Sequence, residues 1–228
     1  MANGASNPLF IAGTQAYKDA DYERAAKAFQ QSALLHSASG TYQNLGLSQW
    51  QRSEIGRAVL AWEQSLWLDP FNQSVRKNLR FARKAAQIEA PDISWAEVIS
   101  TWLPVNWWGW IVASSLWLAV GASTLPGVLR QSKAAWHQVL AAFGVMLFLL
   151  SLPAQYGVHA RSRVGFVLEK GTSLRLTPTS DAQTIAQLPP AEPVRFLRAH
   201  GNFVLVRTSR STGWVERRQL GFMCEQAR

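Results

Sequence analysis

Side chains able to do acid–base or nucleophilic chemistry are few and far apart in this sequence. The four histidines are His36, His137, His159 and His200, and none has a cluster of acidic residues nearby. Cys224 is the single cysteine, so it cannot form an internal disulfide, and it has no neighbours at metal-ligand spacing. His137 and His159 flank an apolar segment, where such groups either relay protons or end a helix at a membrane interface, and we favour the interface. The sequence therefore predicts no catalytic residue, no metal, no cofactor and no enzyme.

Binding chemistry is indicated instead by two segments that match in register 33 residues apart. Gly13 aligns with Gly46, and Phe29 aligns with Trp62. A period of about 33–34 residues, with small residues and aromatics at set offsets, is typical of helix–turn–helix repeats. This pattern resembles the tetratricopeptide repeat, in which small residues let two antiparallel helices approach and aromatics fill the space between them. Such arrays usually bind other proteins and do not catalyse reactions.

Five helices over residues 7–89 are expected to form the repeats that carry this binding surface. Asn7 and Pro8 are suited to begin the first helix, and Asp69-Pro70 ends the second repeat. The last helix has one apolar and one basic face, as expected of a capping helix. The helices are expected over residues 8–19, 22–36, 41–52, 55–68 and 72–88.

In tetratricopeptide arrays the first helix of each pair lines a concave groove, and the resemblance places the candidate binding residues there. Aromatic side chains beside lysines suit an extended or helical peptide that carries an acidic group. An alternative is that the apolar members, such as Phe10, Leu47 and Phe81, only pack between repeats. The groove candidates are Tyr17, Lys18, Gln43, Trp50, Gln51, Lys77, Asn78 and Lys84.

Two apolar segments within residues 103–156 predict a pair of transmembrane helices, at about 107–126 and 136–155. The 19 residues from Trp107 to Leu125 carry no charge, and as a helix they span about 28 Å, close to the hydrocarbon thickness of a bilayer. Two buried helices of a larger globule are the alternative, but the rest of the chain is too small to cover them. Tryptophans crowd the entry to the first span, as in an interfacial belt: Trp102, Trp107, Trp108 and Trp110.

Charge near the spans gives an expected orientation. Arg130 and Lys133 lie between the spans and favour a cytoplasmic loop, with both soluble parts outside the cytoplasm. Arg161 and Arg163 follow the second span and pull the other way, and no signal peptide is visible at the N-terminus. Two spans place both soluble parts on the same side in either case.

Residues 162–222 predict a small β-barrel. Six short runs rich in β-branched and aromatic residues are separated by turn residues. Leu174-Arg175-Leu176, Pro178 and above all Gly213-Trp214-Val215 resemble the bacterial Src-homology-3-like domain. Residues 161–228 carry 11 Lys and Arg against 5 Asp and Glu, a net charge of +6. An anionic polymer or peptide is therefore a candidate ligand. Trp214 could contact such a ligand at the surface, and the alternative is that it is a core residue of the barrel. The surface candidates are Arg175, Arg195, Arg207 and Trp214.

The complete expected fold is an α-solenoid of helix–turn–helix repeats, a two-helix transmembrane hairpin and a small all-β barrel. This order resembles the aerotolerance-operon E (BatE-like) proteins. The resemblance implies a multi-pass protein of the bacterial inner membrane with extracytoplasmic soluble parts and a non-catalytic assembly role. It also implies von Willebrand A-type membrane proteins or a MoxR-type ATPase system as partners, beside the lipid bilayer.

The function expected from these observations is a membrane-anchored scaffold. Its repeats bind one protein partner, and its basic barrel binds a second partner or a cell-wall component. The alternative makes the barrel a wall- or glycan-binding module for which the repeats are a spacer. Peptidoglycan is a candidate ligand in both versions, and nucleic acid is the least favoured partner.

Overall fold

The structure, a computed structural model, describes residues 8–128 and 135–223. Asn7, the loop residues Arg130 and Lys133, and Cys224 lie outside the described residues, so the predictions made from them stay predictions. The helices of the described ranges are α1 (Pro8–Lys18), α2 (Tyr22–Leu35), α3 (Ser39–Gln51), α4 (Ile55–Leu68), α5 (Gln73–Ala86), α6 (Trp95–Ser100), α7 (Val105–Val128) and α8 (Ala135–Ser162).

Helices α1 and α2 form one hairpin, and α3 and α4 form a second. Each hairpin contains an equivalent contact between a glycine and an aromatic ring. A Cβ atom placed on Gly13 would lie 2.8 Å from the Phe29 ring, and one on Gly46 would lie 2.4 Å from the Trp62 ring. A side chain at either position would collide with the aromatic ring, so glycine permits the close approach of the two helices. The 33-residue match in the sequence thus corresponds to the same contact made twice.

Local sequence explains where the helices begin and end. The Asp21 carboxylate accepts a hydrogen bond from the backbone N–H of Arg24 at 3.0 Å, which caps α2. Helix α4 ends at Leu68, before Asp69-Pro70, because a residue that precedes proline is pushed out of the helical region.

The C-terminal part is a seven-stranded antiparallel sheet with the strand order β3-β2-β6-β5-β4-β1-β7. The sequence predicted six strands, and the structure adds β7, which pairs with β1. Strand β7 is only three residues long, so no local pattern announces it. The strands are β1 (Val164–Val167), β2 (Thr172–Arg175), β3 (Thr184–Leu188), β4 (Pro193–His200), β5 (Phe203–Arg207), β6 (Thr212–Glu216) and β7 (Leu220–Phe222).

The N-terminal helices and the sheet share one hydrophobic core. A Cβ atom on Gly56 of α4 would lie 2.3 Å from the carbonyl oxygen of Val167, so this helix packs directly on backbone of the sheet. The Gln64 side chain adds a hydrogen bond, donating to the Phe222 carbonyl at 3.2 Å. Of the described residues, 8–92 and 162–223 therefore form one compact unit, and 93–128 and 135–161 form a second. The shared core contains Ala58, Val59, Trp62, Val75, Leu79, Ala82, Val164, Phe166, Ala191 and Met223.

The second unit consists of α6, α7 and α8. Small residues let α7 and α8 approach closely, because a Cβ atom on Gly144 would lie 2.7 Å from the backbone nitrogen of Ala119 and 2.9 Å from the carbonyl oxygen of Ser115. We expected Pro126 to mark the end of the first span, but it lies inside α7, which continues to Val128. A proline at this position removes one backbone donor and crowds the carbonyl four residues before it, so α7 lacks one of its hydrogen bonds near its C-terminal end.

Helices α7 and α8 are long and apolar enough to cross a membrane. They have 24 and 28 residues, and the most apolar 18-residue stretches have mean hydropathies of 1.5 in α7 and 1.8 in α8. Only 17% of the most apolar stretch of each helix is buried, whereas a core helix of a soluble protein is mostly buried. Trp117, for example, is 76% exposed. The length and the exposed apolar surface indicate association with a membrane.

Candidate functional site

Helix α5 presents a basic face that contains one exposed aromatic ring. The Asn72 side chain caps the helix by accepting a hydrogen bond from the Val75 N–H at 3.2 Å. Apolar residues at helical spacing face the core, and Lys77, Phe81 and Lys84 follow one another on the opposite side at i, i+4 and i+7. Phe81 is 62% exposed. We call Lys77, Phe81, Lys84 and the neighbouring Trp50 the α5 face.

Packing against α3 holds the aromatic centre of the α5 face in place. The Trp50 ring lies edge-to-face with the Phe81 ring, at a centroid distance of 5.7 Å. Trp50 also contacts Trp62, with a centroid distance of 5.9 Å, and the Trp62 indole N–H donates to the Gln43 carbonyl at 3.3 Å. Trp62 is buried, so the Trp50 ring packs against a fixed side chain, and the Phe81 ring packs in turn against Trp50. Edge-to-face pairs of this kind prefer a defined geometry, which suits a binding surface that must be preformed.

Charge on α5 divides into structural and exposed groups. Arg83 forms an ion pair with the buried Glu63, and Arg76 donates to the carbonyl oxygen of Pro70. Among the described residues, no ion pair or hydrogen bond involves the side chain of Lys77 or Lys84. These two lysines therefore leave positive charge at the surface on both sides of Phe81.

The remaining groove candidates are only partly brought to this face. Gln43 has a structural role, since its side-chain oxygen accepts from the Asn72 amide at 2.8 Å. Asn78 is half-buried on α5, and Gln51 is exposed at the end of α3. Tyr17 packs edge-to-face on Tyr22 at the end of α1, with a centroid distance of 5.3 Å, and Lys18 beside it is exposed. The contacts that build the α5 face thus come from α3 and α5.

The four candidates on the sheet fall into two separate pairs. Arg175 lies opposite Trp214 on the paired strands β2 and β6. Its guanidinium donates to the backbone carbonyls of Ser180 and Ala182, so it holds the loop between β2 and β3. Trp214 is only 7% exposed, with the Arg198 guanidinium 5.4 Å from its ring centroid. The alternative in which Trp214 belongs to the interior therefore describes its position.

Arg195 and Arg207 form the second pair, directly opposite each other on β4 and β5. They line a cleft of about 100 Å³ between the sheet and the segment 89–92 that follows α5. Arg195 donates to the carbonyl oxygen of Asp92, and the Arg210 guanidinium lies 3.5 Å from the Glu89 carboxylate. Like charges opposite each other on neighbouring strands repel, but the cleft is also lined by Glu89 and Asp92, so its lining carries two cations and two anions.

The substitution Glu192→Gln should raise thermal stability at pH 7 and leave it unchanged at pH 4. Burial, and then the negative charge of Glu89, raises the pKa of the Glu192 carboxyl above its ordinary value of 4.5, while Arg210 works against this. The folded chain therefore binds this proton more tightly than the unfolded chain. Stability must then fall as the pH rises from about 4.5 through the raised pKa. Glutamine removes that loss because it does not ionise.

Thermal unfolding of the full chain in detergent at the two pH values measures this effect. Glu23→Gln is the counterpart with the opposite sign, because a hydrogen bond from Lys27 lowers the pKa of the exposed Glu23 carboxyl. An equal gain from Glu192→Gln at pH 4 and pH 7 would contradict the assignment.

Candidate metal ligands do not cluster in the part of the chain that the structure describes. Across residues 8–128 and 135–223, no group of three or more His, Cys, Asp or Glu side chains could hold a metal ion. His200 contacts the Trp214 ring at a centroid distance of 6.3 Å, and His137 contacts the Trp136 ring at 3.7 Å. The candidate site of the described residues is therefore the α5 face, where an exposed aromatic ring lies beside exposed lysines.

Sequence reasoning missed helix α6, although a local signal for it exists. Ser94 and Glu97 form a reciprocal capping box, in which the Ser94 N–H donates to the Glu97 carboxylate at 2.7 Å and the Glu97 N–H donates to the Ser94 hydroxyl at 3.4 Å. Ser or Thr followed three residues later by Glu is the sequence signature of a helix start.

No protein-family model matches this chain, and no curated protein matches it either.

Proposed function

We propose that this protein is a non-catalytic scaffold anchored in a bacterial inner membrane, and that its helical hairpins bind a protein partner through the α5 face. The observation that carries the proposal is the exposed Phe81 ring, fixed against Trp50 and flanked by Lys77 and Lys84. Aromatic residues on a rigid support contribute most to protein interfaces, and cations beside them select acidic partners. The partner segment is therefore an acidic peptide with at least one apolar anchor.

The finer architecture belongs to the same proposal. The matched contacts of Gly13 with Phe29 and of Gly46 with Trp62 support tetratricopeptide-like repeats. The antiparallel sheet with its Gly213-Trp214-Val215 strand supports a bacterial Src-homology-3-like barrel. The order of the three parts supports the resemblance to the aerotolerance-operon E proteins. That resemblance supplies von Willebrand A-type membrane proteins and a MoxR-type ATPase system as candidate partners.

The shared core gives a physical argument about topology. Buried residues of α4 and α5 pack with Val164, Phe166 and Met223, so the helical part and the sheet must lie on the same side of any membrane. This requires an even number of crossings between them, which α7 and α8 supply as a hairpin. We propose the extracytoplasmic side.

Reversal of the two lysine charges should abolish partner binding. We expect Lys77→Glu combined with Lys84→Glu to reduce photo-crosslinking from position 81 by about tenfold or more, because truncation of central interface residues commonly costs over 1–2 kcal/mol. The experiment places a photoreactive phenylalanine analogue at position 81 of the full chain in its own membrane. The crosslinked protein is identified by mass spectrometry, and its yield is compared between variants.

The matched control reverses two cations away from the α5 face. Arg24 on α2 and Lys170 before β2 are both exposed, and their double reversal changes the net charge by the same amount. One crosslinked protein that is lost in the first variant and kept in the control is the expected result. Equal yields in both variants would rule out the α5 face.

A second candidate function rests on the cleft rimmed by Arg195 and Arg207. We propose that this side of the sheet binds a second acidic partner or an anionic cell-wall component. The full chain is the right material for a test, since residues 161–228 alone would lose their share of the core. The test measures co-sedimentation of the solubilised chain with purified peptidoglycan. A smaller sedimented fraction for Arg207→Glu than for the parent chain would support this second function, and equal fractions would contradict it.

A further inference from the structure

Helix α6 has its polar and apolar faces reversed. Ala96, Glu97 and Ser100 are buried, at 4%, 1% and 2% exposure. The large apolar side chains of the same segment point outward. We call these the α6 apolar face: Ile93 (47% exposed), Trp95 (68%), Val98 (40%) and Trp102 (63%).

This reversal is costly in water. A helix on the surface of a soluble domain buries its apolar stripe and exposes its polar residues. Here four large apolar side chains lie outside, while a glutamate is almost completely buried. A contiguous exposed apolar surface of this kind marks an interaction site, either with protein or with lipid.

Close contacts fix α6 to one end of the α7–α8 hairpin. The Trp108 indole N–H donates to the Ser100 carbonyl at 3.2 Å. The Arg161 guanidinium donates to the Ser100 hydroxyl at 3.4 Å. A Cβ atom on Gly157 of α8 would lie 2.1 Å from the carbonyl oxygen of Ala96, so the two backbones touch. Trp108, which the sequence places in the interfacial belt, is thus buried and used to hold α6.

Three aromatic side chains are exposed at the same end of the hairpin. Trp107 and Trp110 of α7 are 60% and 73% exposed, and Tyr156 of α8 is 66% exposed. Tryptophan and tyrosine concentrate at the headgroup level of a bilayer, where an apolar ring and a polar N–H or O–H are both accommodated. Contacts with α7 and α8 therefore hold α6 at the same level as these three aromatic side chains.

We propose that α6 lies in the plane of the membrane interface, with the α6 apolar face inserted among lipid headgroups and the first acyl carbons. Lipid is the occupant because contacts with Trp108 and Gly157 attach α6 to a hairpin whose own apolar side chains are exposed. The face itself consists of two tryptophans, an isoleucine and a valine, without any charge. Amphipathic segments with this composition bind at the boundary between headgroups and acyl chains. The inference rests on the part of the proposed function in which α7 and α8 cross the bilayer.

Depth measurement by spin labelling tests this directly. The full chain carrying Cys224→Ser is labelled with a nitroxide at Val98→Cys and reconstituted in vesicles of phosphatidylethanolamine and phosphatidylglycerol. Relaxation by oxygen, which concentrates in the bilayer, is compared with relaxation by a water-soluble nickel chelate. Leu116→Cys at the middle of α7 and Lys27→Cys on α2 are the deep and aqueous references, since both side chains are exposed.

We expect the label at position 98 to be more accessible to oxygen than to nickel, with a depth between the two references. A label at 98 that behaves like the one at 27 would overturn the inference. So would a label at 98 shielded from both reagents, because that result means that protein covers the face. A water-exposed label at 116 would instead overturn the membrane anchor itself, so the two failures are distinguishable.

Discussion

Gly56→Ala should destabilise the folded chain by about 3 kcal/mol, the upper range for a side chain forced into a packed site. The new Cβ atom would lie 2.3 Å from the Val167 carbonyl oxygen, 2.6 Å from that of Leu168 and 2.8 Å from the Leu168 Cα. All three are backbone atoms, so no rotamer change can relieve the collision. Helix α4 would have to move away from strand β1, and buried residues on both sides would lose contact.

Gly40→Ala is the matched control. A Cβ atom on Gly40 would meet nothing within 4 Å, and Gly40 lies in helix α3. Alanine favours the helix over glycine by about 0.5–1 kcal/mol, so this variant should be slightly more stable than the parent.

Denaturant unfolding of both variants in detergent, with limited proteolysis of the native state, measures the difference. The expected result is a large loss for Gly56→Ala and cleavage between the helical part and the sheet. Equal stability of the two variants would mean that the helices and the sheet do not share a core. The same result would weaken the argument that both lie on one side of the membrane.

Arg83→Leu should cost about 3 kcal/mol, as expected when one partner of a buried ion pair is removed. Glu63 is only 8% exposed and forms its ion pair with Arg83 across α4 and α5. A carboxylate in this position loses its hydration on folding, and the guanidinium compensates for that loss. Without Arg83 the buried Glu63 carboxylate loses this ion pair across α4 and α5.

Arg80→Leu provides the same chemical change at an exposed position of the same helix. It should alter stability by less than about 0.5 kcal/mol, as do most surface substitutions. Unfolding of the double variant Glu63→Gln with Arg83→Leu completes the cycle, and we expect it to recover part of the loss because the buried charge is gone. Losses of equal size for Arg83→Leu and Arg80→Leu would show that the pair contributes nothing.

Patterns confined to a few neighbouring residues predicted most of the elements. Asp21 at the start of α2 and Asp69-Pro70 after α4 set helix ends within a residue or two of those expected. Uncharged runs predicted spans at 107–126 and 136–155, and these lie within α7 and α8. Hydrogen bonding within a helix and burial of one face are local, so the sequence pattern carries them.

Site residues were harder to predict, because their roles depend on contacts distant in the chain. Gln43 stays a groove candidate, and the structure adds that its side-chain oxygen accepts a hydrogen bond from Asn72, 29 residues away. Phe81 was assigned to packing in one interpretation, yet it is 62% exposed beside Trp50. Trp214 was a surface candidate, and its neighbours on the sheet leave it 7% exposed.

Periodicity, charge and glycine placement act over short distances, so they are visible in the sequence as the order of helical, apolar and strand-forming segments and as the 33-residue spacing of Gly13 and Gly46. The core shared by the helices and the sheet is visible only in the folded chain. That core joins residues about a hundred positions apart, such as Val59 and Val164, and requires the bare backbone of Gly56 against Val167. The same holds for α6, whose outward apolar face becomes visible only when the contacts of its other face are known. Burial is a property of surfaces brought together in space, and a linear pattern does not specify which surfaces meet.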